Sequence, residues 1–460
     1  MSDSIDVIVS YATHFDPNDI PQNVMQYSRD LFQDAVACIL SGSSAKGVAE
    51  LRETIHFWGS SQQATILAFN ERTSAPSAAF LNAVMCHAND YDDTHDGAVN
   101  HGCVVIVPAI LAACEALKNE SGLSVSGKEF MAALAVGLDI SNRLGMAFIS
   151  YLHVGWLPTT LWGPFAGAAA CGRLLHLDEE QMRNAFGLAY SQIHGNRQGL
   201  VDGALSKRIQ PAFSATAGLQ AAFFAARGIS GAQHIIDGDF GIPVLYTNGK
   251  FDKQYLSEGL GSVFETSNIS IKPYPCCRCS HPVIDAALSL KDQGDLNWHQ
   301  IQGGEIYLPP QSMGQIGNPF EIRANPTVDA QFSAQYTAAL ALIEGWPRVA
   351  NFEEANIKSR KDIIELASRF EVFEFEKDRS GIVPVEMRII LKNKQELSVR
   401  IEAPKGSPQN PLTKEALSLK FNFCLDNSVK EYQKEERNRI LHGLNNFPEV
   451  SDVAEWIRTL

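Results

Sequence analysis

SAPSAAFLNAVMCHANDYDDTHDGAVNHGCVVIVPAILAAC, residues 74–114, sets an intensely polar insert between two apolar stretches. Upstream, Ser74 and Pro76 mark a helix start that carries Phe80, Val84 and Met85 toward the insert. Downstream, the pattern predicts a helix over 101–118. Neither stretch keeps a wide polar face, and helices of that kind belong inside a layered bundle. Between His87 and His101 lie four carboxylates, three histidines and Thr94. Charged side chains are almost never buried without partners. The insert therefore reads as the polar floor of a pocket within a helical core.

The helical texture continues on both sides. Pro21 opens a helix over 23–40 that stops at Gly42, and further helices are predicted over 127–148, 178–193 and 207–227. Asp178 is placed as a cap, with Glu179 and Glu180 suiting the first turn. The texture changes near residue 266. SNISIKPYP alternates as a strand, SHPVIDAALSL reads as a helix, GGEIYLPP as a strand and 329–342 as a helix. VFEFEKD, VPVEMRIILKN and QELSVRIEAPKG read as strands, the last two joined by a short Lys-Asn-Lys turn. The expected fold is mainly α, with a large all-helical domain over 1–265, completed by 406–460, and a smaller α+β domain over 266–405.

Composition narrows the function. A formal charge of -14 argues against nucleic acid or an anionic membrane as the main partner, though it leaves a locally basic pocket possible. Residues 144–172 carry no formal charge, but His153, Pro158, Pro164 and several glycines interrupt them, so a core segment is expected and not a membrane span. Met1 is followed by SDSIDVIVSYATHFDP, without a basic start or a cleavable apolar run, so no signal peptide is expected. Nine scattered cysteines, most in apolar sequence, fit a reducing cytoplasm.

Three chemistries suit the polar insert. DDTHD at 92–96 matches the DDxxD pattern that holds magnesium and a diphosphate, but the second magnesium motif such sites need is absent. A transition-metal site would draw on His87, Asp90, His95 and His101, yet no first coordination shell stands out. A metal-free pocket would set Asp90 and Thr94 one helical turn apart, with His101 entering from the next helix. A plain hydrogen-bonded loop is the remaining reading. GxSxG, GxxxxGK[ST] and GxGxxG are all missing, so neither a nucleotide cofactor nor a serine-hydrolase mechanism is expected.

KPYPCCRCSHPVID, residues 272–285, is a second candidate. Its prolines hold Lys272 on an extended segment, and Ser280 with Pro282 marks a helix start. That start, with Cys279, Ser280 and His281 at its positive end and Lys272 and Arg278 beside it, reads as a receiver for a carboxylate. The alternative is a basic turn facing water. Cys276 and Cys279 spell CxxC without a second pair, a weak signal for zinc or redox chemistry. Third, Lys207 and Arg208 stand where a helix begins, an unfavourable place for cations unless they have another duty.

These segments in this order resemble the MmgE/PrpD family, which includes 2-methylcitrate dehydratase, cis-aconitate decarboxylase and iminodisuccinate epimerase. The resemblance rests on NAVMCHANDYDDTHD, GWLPTTLWGPFAGAAACGRLLHLDEEQMRNAFGLA and LSKRIQPAFSATAGLQAAFFAARGISG. KPYPCCRCSHPVIDA, NPTVDAQFSAQY and PKGSPQNPLTKEALSLKF complete it. It implies a helical domain plus an α+β domain, usually in a homodimer. The implied pocket takes a small anionic di- or tricarboxylate without metal or organic cofactor. Asp90, Thr94, His101, Lys207 and Lys272 match the catalytic positions, and Cys277, Arg278 and His281 the substrate-binding turn. The implied activity is that of a lyase, dehydration first, with decarboxylation or epimerisation as alternatives. Asp90 or His101 would be the base, and in dehydration Thr94 would orient the departing hydroxyl. The chain departs from the pattern at Leu157, where many members carry histidine, and at Gly102, where proline is usual. No tyrosine is matched near Phe320. Leucine cannot transfer a proton, so a catalytically weakened carboxylate binder is the contrasting expectation.

Overall fold

The computed structural model describes residues 3–59, 61–293, 296–375 and 381–460. With 57% helix and 9% strand the chain is mainly α, and its only sheet of more than two strands among the described residues lies in the C-terminal part. By contact the chain divides into two units. The first comprises Met1–Ala88, Asp92–Ile269 and Ser418–Leu460, and the second Asn89–Tyr91 and Ser270–Leu417.

The first unit is built from long helices at Gln22–Gly42, Ala75–His87, Cys103–Ser121, Gly127–Phe148, Pro158–Leu174, Glu179–Tyr190 and Ser206–Ala226. Local chemistry sets their starts. Ser74 accepts from Ser77 N at the head of Ala75–His87. Ser126 and Asp178 each close a capping box, with Glu129 and Gln181 respectively. Ala-rich faces then let the backbones approach closely. Where Pro158–Leu174 meets Ser206–Ala226, a Cβ on Gly218 would lie 2.7 Å from Gly167 Cα, so only glycine fits. That contact fixes the two helices whose first turns carry Thr159 and Lys207. Of the segment 144–172, the helical parts 144–148 and 158–172 are mostly buried, whereas 149–157 between the two helices are partly or fully exposed, Val154 completely, which corrects the expectation of a continuous core segment. No helix among the described residues is long and apolar enough to cross a membrane.

The second unit carries a four-stranded sheet in the order Phe370–Glu374, Ile301–Leu308, Val385–Leu391, Glu396–Ile401. The first pair is parallel and the others antiparallel. Val385, Met387, Ile389 and Leu391 alternate into the core, where they meet Val283, Ile284 and Leu290 of the helix His281–Asp292. The expected hairpin is present, and its turn bonds Leu391 N to Gln395 O at 2.9 Å.

Three local expectations need correction. SNISIKPYP is a strand only over Ile269–Ser270, because Pro273 and Pro275 offer no N–H to prolong a ladder. The helix expected over 329–342 is two, Pro326–Gln331 and Ala334–Glu344. Ser333 ends the first by capping the second, its hydroxyl accepting from Tyr336 N at 3.2 Å. The strand expected in VFEFEKD runs over Phe370–Glu374, and residues 376–378 of that expectation lie outside the described residues.

Candidate active site

The helix Ala75–His87 ends where the polar insert begins, and the insert is not helical. Asp90 has φ 54°, a left-handed conformation that Asp tolerates better than most residues. The expectation of Asp90 and Thr94 one helical turn apart is therefore wrong. They fall in different units, Asp90 in the second and Thr94 in the first. An irregular chain also removes the helical setting that a DDxxD magnesium motif uses.

In the first unit the chain turns back on itself between His95 and Asn100, with His95 N donating to Asn100 O at 2.7 Å and Asn100 N to His95 O at 3.3 Å. Asn100 pins this turn to the helix Gly127–Phe148 through Ser141 and Asn142, both at 2.8 Å. The next residues outward are Thr94 and His101, which the turn brings side by side. The His101 amide donates to Thr159 Oγ1 at 3.0 Å. Its ring Nδ1 lies 2.6 Å from Asp93 O, an atom that can only accept. Nδ1 therefore carries the proton, and in the neutral ring Nε2 is the basic nitrogen. The side chain remains 22% exposed and accessible to a ligand.

The other polar groups of the insert have distinct tasks. Asp93 caps the helix Cys103–Ser121, accepting from Gly102 N and Cys103 N at 3.2 Å. His87 Nδ1 donates to Asp92 Oδ2 at 2.8 Å, and its ring stands edge-on to His101 with centroids 5.2 Å apart. His95 accepts from Ala98 N at Nδ1 and donates from Nε2 to Glu265 at 3.1 Å. Among the described residues no three His, Cys, Asp or Glu side chains are arranged to hold a metal ion.

Burial, then the charges of Asp92 and Asp34, push the Asp93 carboxyl up to about 7. Its folded pKa thus lies above its ordinary value of 3.8. The stability it contributes is complete below pH 4 and is lost as pH rises through 7. Asp93→Asn keeps one acceptor for the cap and removes this titration. The stability of the parent relative to the variant is expected to fall by about 4 kcal/mol between pH 4 and pH 8. Urea unfolding of both proteins across that range checks the sign and the size.

Lys207 lies in the first turn of Ser206–Ala226, half-buried, on the same face as Gln210 and Ser214. Gln210 clasps Asn196, accepting from its N at 2.8 Å and donating to its O at 3.0 Å. Ser214 Oγ lies 3.4 Å from His194 Nε2. The same loop ties to the start of Pro158–Leu174, where Thr160 Oγ1 donates to His194 O at 2.6 Å. Lys207 thus stands at the start of the helix whose Gln210 and Ser214 hold the 194–196 loop. Leu157 precedes Pro158–Leu174 as its N-cap and brings no polar side chain to it.

In the second unit, Lys272 is 1% exposed and donates to Asp90 Oδ1 at 2.8 Å and to Asp90 O at 3.1 Å. Pro273 O is fixed by Tyr91 OH at 3.0 Å and Trp346 Nε1 at 3.2 Å. Gln331 Nε2 bridges Asn89 O and Pro275 O at 3.0 and 2.9 Å. Three donors thus lock the backbone around the Lys272–Asp90 pair. Arg278 is buried and donates to Ser270 Oγ at 3.1 Å and to His281 Nδ1 at 3.5 Å. His281 Nε2 donates to Cys276 O at 3.3 Å. Burial, then Arg278 and Lys272, hold the His281 pKa well below its usual range, so it is a neutral support for Arg278. The hydrogen bond with Cys279 and burial push the Cys277 thiol up, which keeps it protonated.

Thr94, His101 and Lys207 thus belong to the first unit, and Asp90, Lys272, Cys277, Arg278 and His281 to the second. Sequence reasoning missed the pairing of Asp92 with His87 and the capping task of Asp93. Asp93 sits nine residues before Gly102, too far for any capping pattern to reveal it.

Two family descriptions match the chain, the MmgE/PrpD N-terminal domain over residues 6–254 and the MmgE/PrpD C-terminal domain over 274–446. A cis-aconitate decarboxylase of Aspergillus terreus is 25% identical over 467 residues, covering 98% of this chain and 95% of its own. The human cis-aconitate decarboxylase is 25% identical over 463 residues, with 95% and 91% covered, and the mouse protein 23% over 478, with 96% and 93% covered.

Proposed function

From the premise that this chain belongs to the MmgE/PrpD family and is a lyase, we propose that it decarboxylates a small unsaturated tricarboxylate of the cis-aconitate type. The observation that carries the reading is the near-complete coverage of cis-aconitate decarboxylases in both directions. It moves decarboxylation ahead of the dehydration that the resemblance alone put first.

The residues supply suitable chemistry. A carbon–carboxylate bond breaks to release CO2, and its electron pair passes into an enolate spread over the neighbouring carboxylate. Cations stabilise that charge more than they stabilise the substrate, which is what lowers the barrier. Lys207 is the cation assigned to the carboxylates in the first unit. His101, as its imidazolium, delivers one proton to the carbanionic carbon from Nε2, its ring held by Asp93 O and its backbone amide by Thr159. Asp90 keeps the buried Lys272 charged.

The test is an assay of cis-aconitate, 2-methylcitrate and citrate by NMR and CO2 release, with and without a chelator. Release of CO2 from cis-aconitate in the presence of the chelator supports the reading. Water loss from a hydroxy acid without CO2 returns dehydration to first place. No turnover of any of them overturns the lyase assignment.

A further inference from the structure

We propose that Lys420, paired with Asp34 inside the first unit, is a positioning residue of the active site that fixes the net charge around His87 and His101. The inference rests on the reading of His101 as the proton-transfer group.

Lys420 lies on the helix Lys414–Asp426, and its Nζ is 2.5 Å from Asp34 Oδ1. Both side chains are 1% exposed. A buried ion pair is a poor source of stability compared with apolar packing, so its presence calls for another role. Its location supplies one. Ala35, the neighbour of Asp34, accepts from the Cys86 thiol at 3.8 Å, and Cys86 directly precedes His87. Cys86 is 1% exposed and lies within the fields of Asp92, Asp93, Asp34 and Lys420 together. Asp34 also acts on Asp93, whose carbonyl holds the His101 ring. The pair and the proton-handling insert thus form one buried electrostatic cluster.

The groups facing this cluster come from every packed element. Helix Gln22–Gly42 brings Tyr27, Asp30, Asp34 and Cys38, and Ala75–His87 brings Cys86 and His87. Cys103 heads the helix Cys103–Ser121, Cys424 shares the helix of Lys420, and the insert supplies Asp92, Asp93 and His101. Burial opposes the Lys420 charge, but Asp34, Cys38 and Cys424 outweigh it and hold the ammonium above its ordinary value. Lys420 is therefore the constant positive charge of a cluster that is otherwise acidic or neutral.

Removing one member leaves a net charge with a known sign. Lys420→Met leaves the cluster more negative, stabilises an imidazolium at His101, and moves the kcat limb set by His101 to higher pH. Asp34→Asn leaves it more positive and moves that limb to lower pH. Each displacement is expected to be on the order of one pH unit. Lys420→Arg keeps the charge and should restore the parental profile, and Lys420→Met with Asp34→Asn together should return the limb to within a few tenths of a unit. A merely structural role would change stability without giving shifts of opposite sign. Should Lys420→Met not fold, Asp34→Asn, which changes charge but hardly volume, decides alone.

The experiment is the pH dependence of kcat for the full chain and these variants on the tricarboxylate it turns over. Opposite shifts support the proposal; shifts of the same sign, or none, overturn it. An inactive parent overturns the lyase reading and this proposal with it. An active parent with unmoved limbs overturns only this one.

Discussion

Replacing Lys272 by methionine is expected to destabilise the protein by roughly 3–5 kcal/mol, and to leave no measurable turnover. The Lys272 side chain is 1% exposed, and its ammonium donates to Asp90 Oδ1 at 2.8 Å and to the Asp90 main-chain oxygen at 3.1 Å. Methionine fills the volume but leaves a buried carboxylate without its counter-charge, on a residue already in a left-handed conformation. Taking away one partner of a buried pair costs far more than taking both. Asp90→Asn with Lys272→Met is therefore expected to recover most of the stability and none of the activity. Urea unfolding measures the first and CO2 release the second. A Lys272→Met protein as stable as its parent within about 1 kcal/mol would show that the pair is not closed in solution.

His101→Asn carries the largest expected effect on rate alone. The asparagine amide can take over the hydrogen bond to Asp93 O that ring Nδ1 makes at 2.6 Å, so the turn should keep its shape. What disappears is Nε2, the nitrogen assigned to proton transfer. A fall in kcat of roughly a hundred- to ten-thousandfold is expected, with KM changed only a few-fold. The thermal midpoint should hardly move, because the side chain is 22% exposed and its backbone amide keeps Thr159. Wild-type kcat with a raised KM would assign His101 to binding and would remove it from the proton path.

Lys272 and Asp90 also show how far local patterns reach. Both were singled out in the sequence, one by its place before Pro273 and the other by its place in a polar insert. Neither position says that the two meet. The four carboxylates of the insert looked alike because an irregular segment has no faces from which orientation can be read. The structure gives three of them distinct tasks, an ion-pair partner at Asp90, a histidine partner at Asp92 and a helix cap at Asp93. Lys420 drew no notice at all, since a lysine in KEALSLKF reads as an ordinary surface cation.

What the sequence alone determined was whatever its nearest neighbours decide. Apolar stretches without a polar stripe, capping residues such as Ser126 and Asp178, and alternation in VPVEMRIIL were enough for the helices, the hairpin and the mainly α class. Tertiary structure alone decided which charges are paired. The partners of Lys272, Lys420 and Asp93 lie 182, 386 and up to 10 residues away along the chain. The burial that makes each pairing obligatory arises only once the surrounding helices have excluded water.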